Sequence, residues 1–192
     1  RHELDQALVL RPDWEPAVLF QAQLLLAKSP GEARLFLADF LARHPDSQVG
    51  RVAYARALAA DRQFDAALKE FRSLLAERPD DPELLNATAL LSVQADQLDE
   101  ADRLFRQLLP LARDPDAVRL SLGQLADRRK RYDEAIEWYR QVSDEARRPE
   151  AQLRIAQSMA AAGRIEEARK HLRALPGDAA AIDGEQGGPG PG

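Results

Sequence analysis

Metal binding or proton transfer in this 192-residue chain would fall first to its three histidines, His2, His44 and His171. A zinc site needs imidazoles or thiolates at short, fixed spacings. These three are far apart, and no cysteine is present to complete a set. The lack of cysteine also removes disulfides and thiol nucleophiles, while leaving the compartment open, since a cysteine-free protein suits cytosol and periplasm equally. Acidic neighbours at Asp99-Glu100 and Asp133-Glu134 have the make-up of a general acid–base pair. They recur at one interval, each time at the start of an apolar helical stripe, which is where acids stabilise helix N-termini. Four consecutive cations, Arg128-Arg129-Lys130-Arg131, would suit phosphate or anionic lipid, but Asp133, Glu134 and Glu137 follow at once. With a net charge of −5, a solvated turn is the better reading, and general nucleic-acid binding is excluded. There is no phosphate loop, dinucleotide fingerprint or serine elbow. The sequence therefore assigns no catalytic residue, no metal site and no cofactor.

What such residues would be mounted on is a repeat. Phe64-Asp65-Ala66-Ala67, Leu98-Asp99-Glu100-Ala101 and Tyr132-Asp133-Glu134-Ala135 stand 34 residues apart, and Ile165-Glu166-Glu167-Ala168 follows after 33. Each small residue is followed four positions later by a large one: Ala33/Leu37, Ala67/Phe71, Ala101/Phe105, Ala135/Tyr139 and Ala168/Leu172. Five such pairs in register mark a repeat architecture. Proline triplets punctuate the same frame: Arg11-Pro12-Asp13, His44-Pro45-Asp46, Arg78-Pro79-Asp80, Asp114-Pro115-Asp116 and Arg148-Pro149-Glu150. A base suits the end of a helix, proline cannot continue it, and an acid suits the next N-terminus. Between prolines lie two helical stripes, as in Val52, Ala55, Leu58 and then Leu68, Phe71, Leu75, with polar turns at Asp61-Arg62-Gln63, Asp96-Gln97, Arg129-Lys130-Arg131 and Gly163-Arg164. No strand is indicated.

These units resemble the tetratricopeptide repeat, whose signature is a large residue, a large–small pair, a small-x-x-x-aromatic step and a closing proline. The clearest copy is Tyr54-Ala55, Leu58, Phe64, Ala67, Phe71 and Pro79. Others are Leu85, Ala89, Leu98, Ala101, Phe105; Leu122-Gly123, Tyr132, Ala135, Tyr139, Pro149; and Ile155-Ala156, Met159, Gly163, Ile165, Ala168. The first full unit diverges. Gln21 stands where a small residue is usual and Pro30-Gly31 precedes Ala33, which predicts an altered turn there. The expected division is a second helix over 1–13 (on Leu4, Ala7 and Pro12), repeats at 14–47, 48–81, 82–115, 116–148 and 149–176, and a Gly/Pro-rich tail at 177–192. A chain opening in mid-repeat is expected to be a fragment of a longer array. Trp14 and Trp138 are expected to pack between helices rather than form a ligand box.

The resemblance implies an all-α fold, a right-handed superhelix (α-solenoid) of antiparallel helix pairs whose first helices line a concave face. Residues implied to lie on that face are Val52, Arg56, Ala59, Asn86, Leu90, Val93, Leu120, Gln124, Asp127, Leu153, Arg154 and Gln157. Mixed apolar and amide character suits an extended peptide or a partner helix. Asn86 and Arg154 occupy places used by the carboxylate clamp of some family members, but the lysines and paired asparagine are missing, so that specificity is not expected. The function implied is a non-catalytic scaffold with a protein or peptide partner; the alternatives are a self-assembly module or an appendage to an enzyme elsewhere in a longer protein. No apolar run is long enough to span a membrane. Arginine in excess of lysine and abundant alanine suggest a bacterial origin, where arrays of this look often serve the cell envelope; a cytoplasmic scaffold is the other possibility.

Overall fold

A computed structural model describes residues 14–175. The expected half-repeat at 1–13, with His2, Leu4, Ala7 and Pro12, and the tail at 177–192 lie outside these residues. Among the described residues there are ten α-helices and no strand. They fall into two compact units that divide between Leu108 and Leu109.

The first unit holds α1 (Glu15–Leu26), α2 (Pro30–Arg43), α3 (Gln48–Ala60), α4 (Phe64–Glu77), α5 (Pro82–Gln94) and α6 (Leu98–Leu108). The second opens on a 3-10 turn, Leu109–Leu111, and holds α7 (Pro115–Arg128), α8 (Tyr132–Arg140), α9 (Arg148–Ala161) and α10 (Ile165–Arg173). Local chemistry sets the starts. Ser47 Oγ accepts from the Gly50 N–H at 2.9 Å, Asp81 Oδ1 from Glu83 and Leu84 at 3.0 and 3.2 Å, and Asp114 Oδ1 from Ala117 at 3.1 Å. Each satisfies N–H groups that a helix start leaves unpaired. Pro30, Pro82 and Pro115 occupy first helical positions, where proline has no N–H to lose. Pro45 and Pro79 sit between helices as expected, but Pro115 and Pro149 lie inside the first turns of α7 and α9, opening first helices.

Within each hairpin the helices close on the small residues. Ala33, Ala67, Ala101 and Ala135 are completely buried, and Leu37, Phe71, Phe105 and Tyr139, four residues on, nearly so. The first unit packs Val18, Ala22, Leu37 and Phe40 with Ala57 of the next hairpin, and Leu58, Phe71 and Leu74 with Leu84 and Leu91. The second packs Leu120, Tyr139 and Val142 with Ala151, Ile155 and Met159. Each cluster spans two hairpins, so no hairpin owns a complete core.

Four hairpins share one turn. Arg62, Asp96, Lys130 and Gly163 adopt φ of 61°, 58°, 58° and 82°. The next N–H in each case reaches back five residues: Gln63 to Leu58 O, Gln97 to Ser92 O, Arg131 to Ala126 O and Arg164 to Met159 O, at 2.8–2.9 Å. This is the Schellman closure, and its left-handed position favours glycine. Only Gly163 supplies one. A left-handed residue with a Cβ costs about 1 kcal/mol or more. Lys130→Gly is therefore expected to raise the stability of its hairpin by roughly 1 kcal/mol, and Gly163→Ala, which meets no steric obstacle, to lower it by a similar amount. Denaturant unfolding of the two variants checks both signs.

The first hairpin differs, as its sequence suggests. Ser29 N–H bonds Leu25 O at 2.7 Å, only four residues back, and no residue of that turn has positive φ. The shorter closure moves α1 by one residue against the repeat. Its small, buried position is Ala22, which stands 33 before Ala55. Gln21 is thus not a poor substitute for a small residue; it occupies a different position.

Candidate protein-binding face

In the first unit, α1 and α3 flank an open cleft of about 360 Å³. Leu19, Ala22, Gln23 and Leu26 line it from α1, Val49, Val52, Ala53, Arg56 and Ala57 from α3, and Leu37 of α2 forms part of its wall. The one-residue offset of α1 places Leu19, Gln23 and Leu26 in line with Val52, Arg56 and Ala59. Of the residues expected on the first-helix face, Val52 and Arg56 belong to this cleft. The α1 contribution was hidden, because aligning the first unit at 34 residues selects the wrong side of that helix.

Further along the unit, Asn86 and Leu90 of α5 are exposed, Leu90 by 47%. Val93 and Ala59 are half-buried. Arg56 Nη2 lies 3.7 Å from Glu83 Oε2, with both side chains largely exposed. A pair so placed contributes little, and most of the guanidinium donors are left for another acceptor.

In the second unit, Gln124 of α7 and Leu153 and Gln157 of α9 are exposed as expected. Two others are not available. Leu120 is buried in the core with Val142, Ala151 and Ile155, because a large aliphatic residue at that position turns into the junction between hairpins. Asp127 is committed to an internal network. Tyr139 OH donates to its Oδ2 at 2.8 Å and Ser158 Oγ to its Oδ1 at 2.7 Å, which ties α7, α8 and α9 together. Burial, reinforced by the hydrogen bond to Asp127, raises the Tyr139 pKa, so the phenol stays protonated and donating. Arg154 Nη2 reaches Glu150 Oε1 at 3.3 Å on its own helix.

His44, the basic cluster and the periodic acids have structural roles. His44 ends α2 and packs on Phe40, ring centres 4.8 Å apart. Arg128 to Arg131 close α7 and open α8. Glu100 opens α6 and takes a bidentate grip from Arg72 of α4, whose Nε lies 3.0 Å from Oε1, while Ser92 donates to it at 3.3 Å. The Arg72 hydrogen bond holds the Glu100 pKa below the usual range. Asp133, at the start of α8, receives Arg164 at 2.8 Å from the next hairpin. Periodic acids thus serve twice, at a helix start and across helices. No group of acids and histidines suited to a metal occurs among the described residues, and none of their helices is long and apolar enough to cross a membrane. Trp138 is half-buried, but Trp14 is half-exposed at the head of α1, contrary to the packing expected for it.

Asp116 was legible only as a helix-start acid. It is buried, accepts from the backbone N–H groups of Asp144 at 2.7 Å and Ser143 at 2.9 Å and from Ser143 Oγ at 3.1 Å, and pairs with Arg119. Burial alone would raise its pKa; those donors outweigh burial and bring it to about 2, from 3.8. Because the folded value lies below the unfolded one, its stabilisation is complete above about pH 5 and is lost as pH falls from there towards 2. Asp116→Asn is expected to flatten the acid side of the stability–pH profile of this unit, measured by urea unfolding between about pH 5 and 3.

A sequence model described as the tetratricopeptide repeat matches residues 24–91 and 129–185, and a second with the same description matches 86–148. The chain belongs to the tetratricopeptide repeat family. No curated protein matches it. Solved structures similar to this tetratricopeptide array include MamA MSR-1, at 22% identity and a TM-score of 0.68 over 83% of this chain and 90% of that one. MamA from Desulfovibrio magneticus RS-1 gives 16% and 0.71 over 81% and 89%. A putative kinesin light chain of Podosopora anserina, with nearly identical TPR-like repeats, gives 19% and 0.69 over 85% and 93%. At these identities the likeness is one of fold. A tetratricopeptide array is a protein–protein interaction scaffold, without a catalytic apparatus of its own.

Proposed function

We propose that this tetratricopeptide array holds a partner peptide or helix on first-helix faces, each unit offering its own: Val52, Arg56, Asn86, Leu90 and Val93 in the first, and Gln124, Leu153, Arg154 and Gln157 in the second. The α1/α3 cleft carries this reading. It is the concave, mainly apolar part of the first unit's face, with a few polar groups at its rim, which is the usual make-up of a recognition site. The arginine-rich, alanine-rich composition supports a bacterial origin, and the likeness to arrays that serve the bacterial cell envelope supports an adaptor role there. The test is recovery of partners by the full-length protein and by a variant with Arg56→Glu, Asn86→Ala and Gln124→Ala. All three side chains are exposed, so folding should be preserved, and circular dichroism checks that. Loss of one or more partners is expected; unaltered recovery of every partner would remove the face from consideration.

Self-association is a second reading, favoured by the half-exposed Trp14, Phe20 and Leu35 of the first hairpin. Apolar surface of this kind often marks an interaction site. Light scattering that shows one mass across a concentration series would dismiss it.

A further inference from the structure

Resting on the binding-face reading above, we propose that the α1/α3 cleft is an anchor site for one bulky apolar side chain of a partner segment. That segment also carries an aspartate or glutamate within about one helical turn of the anchor, held by Arg56. Three observations converge on this partner chemistry. The cleft measures about 360 Å³, at the small end of the roughly 300–1,000 Å³ typical of ligand pockets. It takes one or two side chains, not a helix. Its walls, Leu19, Leu26, Val52 and Leu37, are aliphatic, so a large apolar group gains from leaving water there.

Charge then selects the neighbour of that anchor. Among the described residues, Arg56 is the one ionisable side chain lining the cleft. Its contact with Glu83 spans 3.7 Å between two exposed groups, while a carboxylate from a partner can take two parallel N–H donors of the guanidinium. A lysine or arginine next to the anchor would instead meet like charge. On a helix, residues three or four apart lie on one face, about 5–6 Å between Cβ atoms, so anchor and acid reach cleft and rim together. Gln23 on the opposite wall offers an amide to a peptide backbone or polar side chain. A fatty acid, with one polar end, would leave that amide unused.

A random library of 12-residue peptides displayed on phage and panned against the full chain tests this directly. Enriched sequences should converge on Leu, Ile, Met, Phe or Trp with Asp or Glu within four residues. A synthetic consensus peptide should bind Arg56→Glu at least tenfold more weakly. Changing the peptide's acid to lysine should restore at least fivefold of that loss, a charge-swap rescue that a merely structural role for Arg56 cannot produce. No convergence, convergence without an acid, or affinity indifferent to Arg56→Glu would overturn the proposal. So would saturable binding of dodecanoate with the same Arg56 dependence and no peptide enrichment. The two levels are separable. Peptides that lose binding to the Arg56/Asn86/Gln124 variant but show no charge preference sink the anchor-and-acid claim alone. Peptides that bind that variant unchanged sink the face itself.

Discussion

Gly123→Ala is expected to destabilise the α7–α8 hairpin by roughly 2–4 kcal/mol, the upper range for overpacking a closed core. A Cβ built at Gly123 would stand 2.3 Å from Tyr139 Cε1 and 2.7 Å from Cδ1 and Cζ. Alanine is favoured over glycine in a helix interior by about 1 kcal/mol, which offsets only part of the clash. The ring cannot swing aside cheaply, because its hydroxyl is held by Asp127 and its faces are buried. Relief must come from moving α8 off α7. Gly123→Ala combined with Tyr139→Leu should recover much of the loss, since the pair is coupled through one contact. Chemical unfolding monitored at Trp138, in a Trp14→Phe background, reads the change in this unit. An unperturbed Gly123→Ala would mean that the helices do not approach as described.

Phe71→Ala and Phe105→Ala are expected to cost about 3–5 kcal/mol each, as for other fully buried aromatics. Phe71 lies in a cluster that joins α3 and α4 to α5, with Leu58, Leu74, Leu84 and Leu91 around it. Its loss therefore weakens both the hairpin and its junction with the next. Stability in a repeat array is close to a sum of repeat and nearest-neighbour contributions, so the damage should be local. Hydrogen exchange should accelerate in 48–94 for Phe71→Ala, with residues 115–173 little changed. Unchanged thermal unfolding of both variants would contradict the register of the repeat.

That register was legible because it rests on volume. Alanine followed four residues later by a large residue, repeated at 33 or 34, can mean little other than helices in close contact at that alanine, and Ala67/Phe71 and Ala135/Tyr139 are buried accordingly. The turns were legible as polar breaks, and the odd first turn was visible at Pro30-Gly31. What escaped was the consequence of that turn. A closure one residue shorter rotates α1 by about 100°, which moves Leu19, Gln23 and Leu26 onto the proposed binding face while Gln21 drops out of the alignment. Leu120 and Asp127 were misplaced for a related reason. Position in the repeat gives direction, but not whether a neighbouring hairpin covers the residue or claims its carboxylate. Asp116 and Asp127 look like ordinary solvent-facing acids in sequence; their roles depend on partners 12 to 31 residues away.

Partners are expected to bind the first-helix face rather than the second helices or the turns. Hydrogen–deuterium exchange of the full chain, with and without the tightest-binding peptide from the selection, tests it most directly. Added protection is expected in 15–26, 48–60 and 82–94, with 64–77 and 98–108 unchanged. Protection confined to those second helices would contradict it.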